Sequence, residues 1–249
     1  MGNLIESAEA FASILTEVVN GTVSTDVRFV VTPFEGPPEL AWVYPEGSTP
    51  ASVSLIPIVA GLPDGEPPRL WLRTSFQVRL DDTGDHLAVQ QSVFGLVIDE
   101  KTKRPAVRVE YDRDKGNEPD DNSPARHRRS AAHVQIHGSS EELAYVQGLN
   151  GDRQLRGLEK FHIPVGGRRF RPSIEDFIEF LWTERLIPGL HPGWEDVLTR
   201  HRSDWLALQL RAAVRNDPFT AVSQLQTMGY AVEPPQDRSA PVADPSRPD

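Results

Sequence analysis

The chain has 249 residues, 38% of them hydrophobic and 25% charged, with no cysteine and a formal net charge of −10. That length suffices for one large domain or two small ones, and the lack of cysteine excludes disulfides, thiolate nucleophiles and cysteine-ligated zinc. The negative balance disfavours nonspecific nucleic-acid binding by the whole surface, although Arg126-His127-Arg128-Arg129 and Arg168-Arg169-Phe170-Arg171 concentrate basic charge locally.

Met1-Gly2-Asn3-Leu4-Ile5-Glu6 has neither the basic n-region nor the apolar h-region of a secretory signal. No apolar run approaches the ~18–20 residues that cross a bilayer. A cytoplasmic protein with no membrane association is therefore expected. Leu4, Ala8, Phe11, Leu15, Val18 and Val19 recur at helical spacing and Asn20-Gly21 supplies a C-cap, which predicts an amphipathic helix over residues 3–19. Residues 26–34, 40–44 and 52–59 read as short strands between Gly/Pro-rich turns.

The clearest pattern follows. Leu70, Leu72, Thr74, Phe76, Val78 and Leu80 alternate with Trp71, Arg73, Ser75, Gln77 and Arg79, and a period of two marks a long strand with one buried face. Asp81-Asp82-Thr83-Gly84-Asp85 turns the chain, residues 86–98 return as the hairpin partner, and 104–112 add a third strand of a meander. Residues 113–130 hold no apolar side chain larger than Ala or Pro and are expected to form a long loop.

Residues 131–137 read as the next strand, Ser139 or Ser140 as the cap of a short helix, and 159–164 as a last short strand. Ser173-Ile174-Glu175-Asp176 is a capping-box variant opening a helix whose apolar stripe is Ile174, Phe177, Ile178, Leu181 and Trp182. Trp194, Val197, Leu198, Trp205 and Leu208 predict a second helix, and Asp217-Pro218 opens a third that ends at Gly229. Five prolines in residues 233–249 predict a disordered tail. The fold class is α+β, a mainly antiparallel sheet with an N-terminal helix and a C-terminal helical section. The expected division is 1–165 for helix plus sheet, 166–232 for helices packed on the sheet, and 233–249 for the tail.

Three constellations could carry chemistry. On a strand, His133, Gln135 and His137 share one face. Two imidazoles about 7 Å apart with an amide between them could act as acid and base on a phosphodiester, bind a metal or hold a phosphate. A polar strand side facing water explains the same row. If residues 107–112 pair with 131–137, then Arg108, Glu110 and Asp112 share one face, and a carboxylate such as Asp112 near an imidazole would fix its tautomer. Cross-strand charge pairing is the alternative. Lys160-Phe161-His162-Ile163-Pro164 and the following Gly166-Gly167-Arg168-Arg169-Phe170-Arg171 are delivered to a helix start. Two glycines, three arginines and that helix N-terminus make an anion-binding element, unless the arginines merely pair with the acidic surface. No HExxH, GxSxG, EF-hand, P-loop or dinucleotide motif is present, so the sequence names no cofactor and assigns no metal set.

At Tyr111-Asp112-Arg113-Asp114-Lys115-Gly116, then His133-x-x-x-His137, then the helix Ile174-Glu175-Asp176-Phe177-Ile178, the chain resembles TumE-family toxins over residues 70–185. These are small bacterial toxin–antitoxin components with a Tyr-Asp-Asn-x-x-Gly-Lys-Gly strand end and an adjacent His-x-His. Here the segment between the motifs is longer, and Gln135 stands inside the histidine triplet. The resemblance implies a toxin-like protein of a toxin–antitoxin or defence module, acting on RNA or nucleotide phosphates and meeting an antitoxin or other protein partner. On that reading His133 and His137 are acid and base, Asp112 orients them, and Arg168, Arg169, Arg171 and His162 bind phosphate. The strand alternation is also similar to that of histidine-triad nucleotide hydrolases, but Gln135 cannot form their covalent intermediate. A non-catalytic interaction module that binds an acidic partner accounts for the same residues.

Overall fold

The Asn3 side chain accepts hydrogen bonds from the Ile5 and Glu6 backbone N–H groups and opens helix α1 (Leu4–Asn20), which satisfies two donors that a helix start leaves orphaned. The molecule is seen as a computed structural model that describes residues 3–34, 36, 39–49, 52–101, 103, 105–114, 131–138, 163–165 and 171–233. The expected loop beyond residue 114, the Ser139/Ser140 helix and the tail beyond residue 233 lie outside the described residues.

Among the described residues eight strands follow α1: β1 (Phe29–Pro33), β2 (Ala41–Pro45), β3 (Ile56–Pro57), β4 (Trp71–Leu80), β5 (Leu87–Val97), β6 (Pro105–Asp112), β7 (Ala132–Ile136) and β8 (Ile163–Pro164). They form one sheet in the order β1-β2-β4-β5-β6-β7-β8, with β3 also paired to β4. Every pairing is antiparallel. The fold is thus α+β, as the periodicities predict. β4 is held along both edges: β5 pairs its whole length, β2 pairs Phe76–Val78 and β3 pairs Trp71–Leu72.

The helices after the sheet are α2 (Ile174–Thr183), α3 (Trp194–Asn216) and α4 (Pro218–Thr227). Ser173 and Asp176 form the expected capping box at α2, and Asp217 caps α4 by accepting from Thr220 N–H, with Pro218 in the first turn. The chain divides into two compact units, Met1–Arg202 and Ser203–Asp249. The first holds α1, the sheet and α2 together, so the helix opened by Ser173 belongs to the same unit as the strands before it. In the second unit Leu206, Leu210, Phe219, Met228 and Tyr230 are exposed.

One face of the sheet is the core. Leu72, Thr74, Phe76 and Val78 of β4 are at most 1% exposed, the side chains that the period of two selects. Phe11 of α1 meets Phe76 edge-on at 5.0 Å, Phe76 meets Phe94 of β5 at 5.5 Å, and Phe94 stacks on Phe177 of α2 at 5.9 Å. This aromatic line ties both helices to that face, each contact adding to the area buried. Elsewhere in the same unit Gly61 and Gly189 cross backbone to backbone. A Cβ on Gly61 would lie 2.6 Å from Gly189 N and Cα, and Gly61 has φ +76°, so both space and conformation require glycine there.

Candidate functional site: a polar row across β6 and β7

Val107, Val109 and Tyr111 of β6 turn into the core, which sends Arg108, Glu110 and Asp112 to the opposite face of the sheet. The β6–β7 register sets Arg108 opposite Gln135 and Glu110 opposite His133. Arg108 Nε donates to Gln135 Oε1 at 2.9 Å, and Nη2 donates to the same oxygen. Arg108 Nε also lies 3.2 Å from Glu110 Oε1, while Glu110 Oε2 stands 3.1 Å from His133 Nε2. Gln135, Arg108, Glu110 and His133 thus form one continuous polar row across two strands.

The row is not a wet strand side. His133 is 1% exposed and Gln135 8%, whereas Ile136, on the other side of β7, is 41% exposed. Buried polar groups persist where they satisfy one another, and here an imidazole, an amide, a guanidinium and a carboxylate do so. The carboxylate fixes the orientation of the ring, as such partners do.

The sequence-predicted residues are distributed around this row. His133 is at its centre. His137 lies past the end of β7, exposed, its N–H donating to Ala106 O at 2.7 Å. Four residues of strand span about 13 Å, not the 7 Å of two, so the two imidazoles do not form one acid–base pair on this strand. Asp112 sits one pair beyond Glu110 on the same face and accepts from Gln91 Nε2 at 3.1 Å; the carboxylate facing His133 is Glu110. Arg171 lies just before α2, within electrostatic reach of Tyr111, Arg113, Glu175 and Asp176. It therefore stands by the core side of β6, away from the His133 face. It keeps some exposure, yet burial pushes its guanidinium down from the ordinary value of 12.5 to about 10, against the pull of Glu175, Tyr111 and Asp176 and with Arg113 adding to the drop. His162, Arg168 and Arg169 lie outside the described residues.

Glu110 and Arg108 are the residues that alternation assigns a face but no role. Alternation identifies the Arg108, Glu110, Asp112 set, but register alone decides which carboxylate meets His133. Among the described residues no group of three or more His, Asp or Glu side chains could hold a metal ion, and no helix is long and apolar enough to cross a membrane. Compared with family models, with curated proteins and with solved structures, the chain gives no match.

Proposed function

We propose that the chain is a toxin-like protein of a bacterial toxin–antitoxin or defence module, acting in the cytoplasm on RNA or nucleotide phosphates. The observation that supports this reading is the Glu110–His133 contact at 3.1 Å, set beside Arg108 on one sheet face. A carboxylate-held imidazole is equipped to move a proton, and a guanidinium beside it is equipped to meet a phosphate. In this reading His133 exchanges the proton, Glu110 orients its ring and Arg108 offsets phosphate charge. The resemblance at Tyr111-Asp112-Arg113-Asp114 and at His133 and His137 supports the toxin class.

One observation favours a second reading. His133 is 1% exposed, and a general base must come within hydrogen-bond reach of the proton it takes. A non-catalytic module that docks an acidic partner needs no such access. Expression of the chain in a bacterium, with growth and RNA integrity followed, separates the two. Loss of growth arrest in His133→Ala and Glu110→Gln, both folded, is expected from the first reading. If both substitutions leave arrest and RNA cleavage as in the wild type, that reading fails. Salt-sensitive capture of an acidic protein, lost in Arg168→Glu but kept in His133→Ala and Glu110→Gln, selects the second.

A further inference from the structure

The row that contains Arg108 continues onto β5 and β4. Arg108 is opposite Gly95, and Gly95 is opposite Arg73. Neighbouring strands lie about 4.8 Å apart, so two arginines rise from one sheet face about 10 Å apart, with only a hydrogen atom between them. Gly95 is closely packed at its own level, where an added Cβ would lie 3.3 Å from Pro105 Cβ and 3.8 Å from Arg73 Cβ.

The two arginines are unequally satisfied. Arg108 spends Nε and Nη2 on Gln135 and Glu110, and its Nη1 makes no hydrogen bond among the described residues. Arg73 has no ion pair or hydrogen bond at all among them, and its Nε is buried. A guanidinium carries five donors and a permanent charge. Burying its Nε–H without an acceptor is costly unless something else supplies one. Glu110 already offsets Arg108, whereas among the described residues no carboxylate is paired with Arg73.

We infer that Arg73 and Arg108, on either side of Gly95, form a binding site for the phosphate group of a nucleotide, with Trp71 as the surface for its base. A phosphate fits better than a carboxylate because its several oxygens can bridge two forks. Trp71 is two residues before Arg73 on the same face of β4, about 7 Å along the strand, and is half-buried. Bases stack on such side chains irrespective of their identity. β5 pairs β4 along its whole length, so the backbone that carries Trp71 and Arg73 is already in place when the ligand arrives. The site deepens the nucleotide reading above and rests on it for the class of ligand.

Calorimetric titration of the full chain with adenosine 5′-monophosphate, adenosine and inorganic phosphate tests this. The wild type is expected to bind the monophosphate more tightly than either fragment. Arg73→Gln weakens it about tenfold or more, the loss of one charge-assisted contact, and Arg73→Lys falls between. Trp71→Leu brings the monophosphate down to the level of inorganic phosphate and leaves phosphate unchanged. Without ligand, the Tm of Arg73→Gln stays at or above that of the wild type, because the group removed had no partner. A sharp fall in that Tm, no binding of monophosphate or phosphate by the wild type, equal binding by Arg73→Gln, or capture of a polyglutamate peptide in place of the nucleotide overturns the site. Monophosphate binding without growth arrest removes the toxin reading and leaves this site standing. Growth arrest without monophosphate binding does the reverse.

Discussion

Glu110 divides its two carboxylate oxygens between two strands: Oε2 stands 3.1 Å from His133 Nε2 on β7, and Oε1 stands 3.2 Å from Arg108 Nε on its own strand. Removing either residue takes this contact from the other in a largely buried place. Glu110→Ala and His133→Ala should each cost about 1–3 kcal/mol of stability. The double variant should lose less than the two together, with a coupling of about 0.5–3 kcal/mol. Chemical denaturation of the four proteins measures this, and strict additivity would show that the contact does not stabilise the fold.

Arg171 and Glu175 flank the start of α2 on the core side of β6. Glu175 is 5% exposed, and its attraction is the first force that opposes the burial-driven fall of the Arg171 pKa to about 10. At neutral pH Arg171 is therefore still charged. Arg171→Met removes a cation that acts through space on a buried carboxylate, and a loss of about 1–3 kcal/mol is expected. Arg171→Met with Glu175→Met together should recover most of that loss, since an apolar pair of similar volume needs no compensation. A double variant no better than the single would show that Arg171 acts through other neighbours.

The β4–β5 turn carries a pH dependence. Burial is the largest single influence on Asp81 and raises its pKa, but hydrogen bonds from the Thr83 hydroxyl and the His86 and Asp85 N–H groups, with the charge of His86, together outweigh it and hold the carboxyl below 3.8. A carboxyl lowered on folding stabilises the native state above its unfolded pKa and loses that contribution as pH falls through the folded one. The turn should be fully held at neutral pH and loosen only below about pH 4. Amide exchange at residues 83–86, followed by NMR from pH 6 to pH 3, should speed up beyond the intrinsic rate in the acid range. Asp81→Asn should lack that acid step, and a wild-type profile without it would overturn the assignment.

Local patterns made much of this fold legible in the sequence. The alternation from Leu70 to Leu80 encodes the core face of β4 directly, and Ser173 and Asp217 announce their helix starts because capping needs those side chains at those places. Register was harder to read. The long segment between β6 and β7 does not fix how the two strands align, so sequence reasoning paired His133 with Asp112, where Glu110 faces it. Burial of the polar row was also illegible, because His133 and Gln135 look like a solvent face until Arg108 and Glu110 are seen to satisfy them. That Arg73 has no partner among the described residues is visible only in the folded chain.

The near-sequential strand order has a consequence for how the chain is made. Each strand from β4 to β8 pairs with the one before it, so a chain leaving the ribosome can extend the sheet as fast as it appears. Phe94 can take its place against Phe76 once β5 is complete, but the ring that stacks on its other side is Phe177, which emerges only after β8. Through that interval the growing sheet shows an unfinished aromatic face. This is the stage at which a nascent chain is most open to capture by a chaperone or to association with another copy.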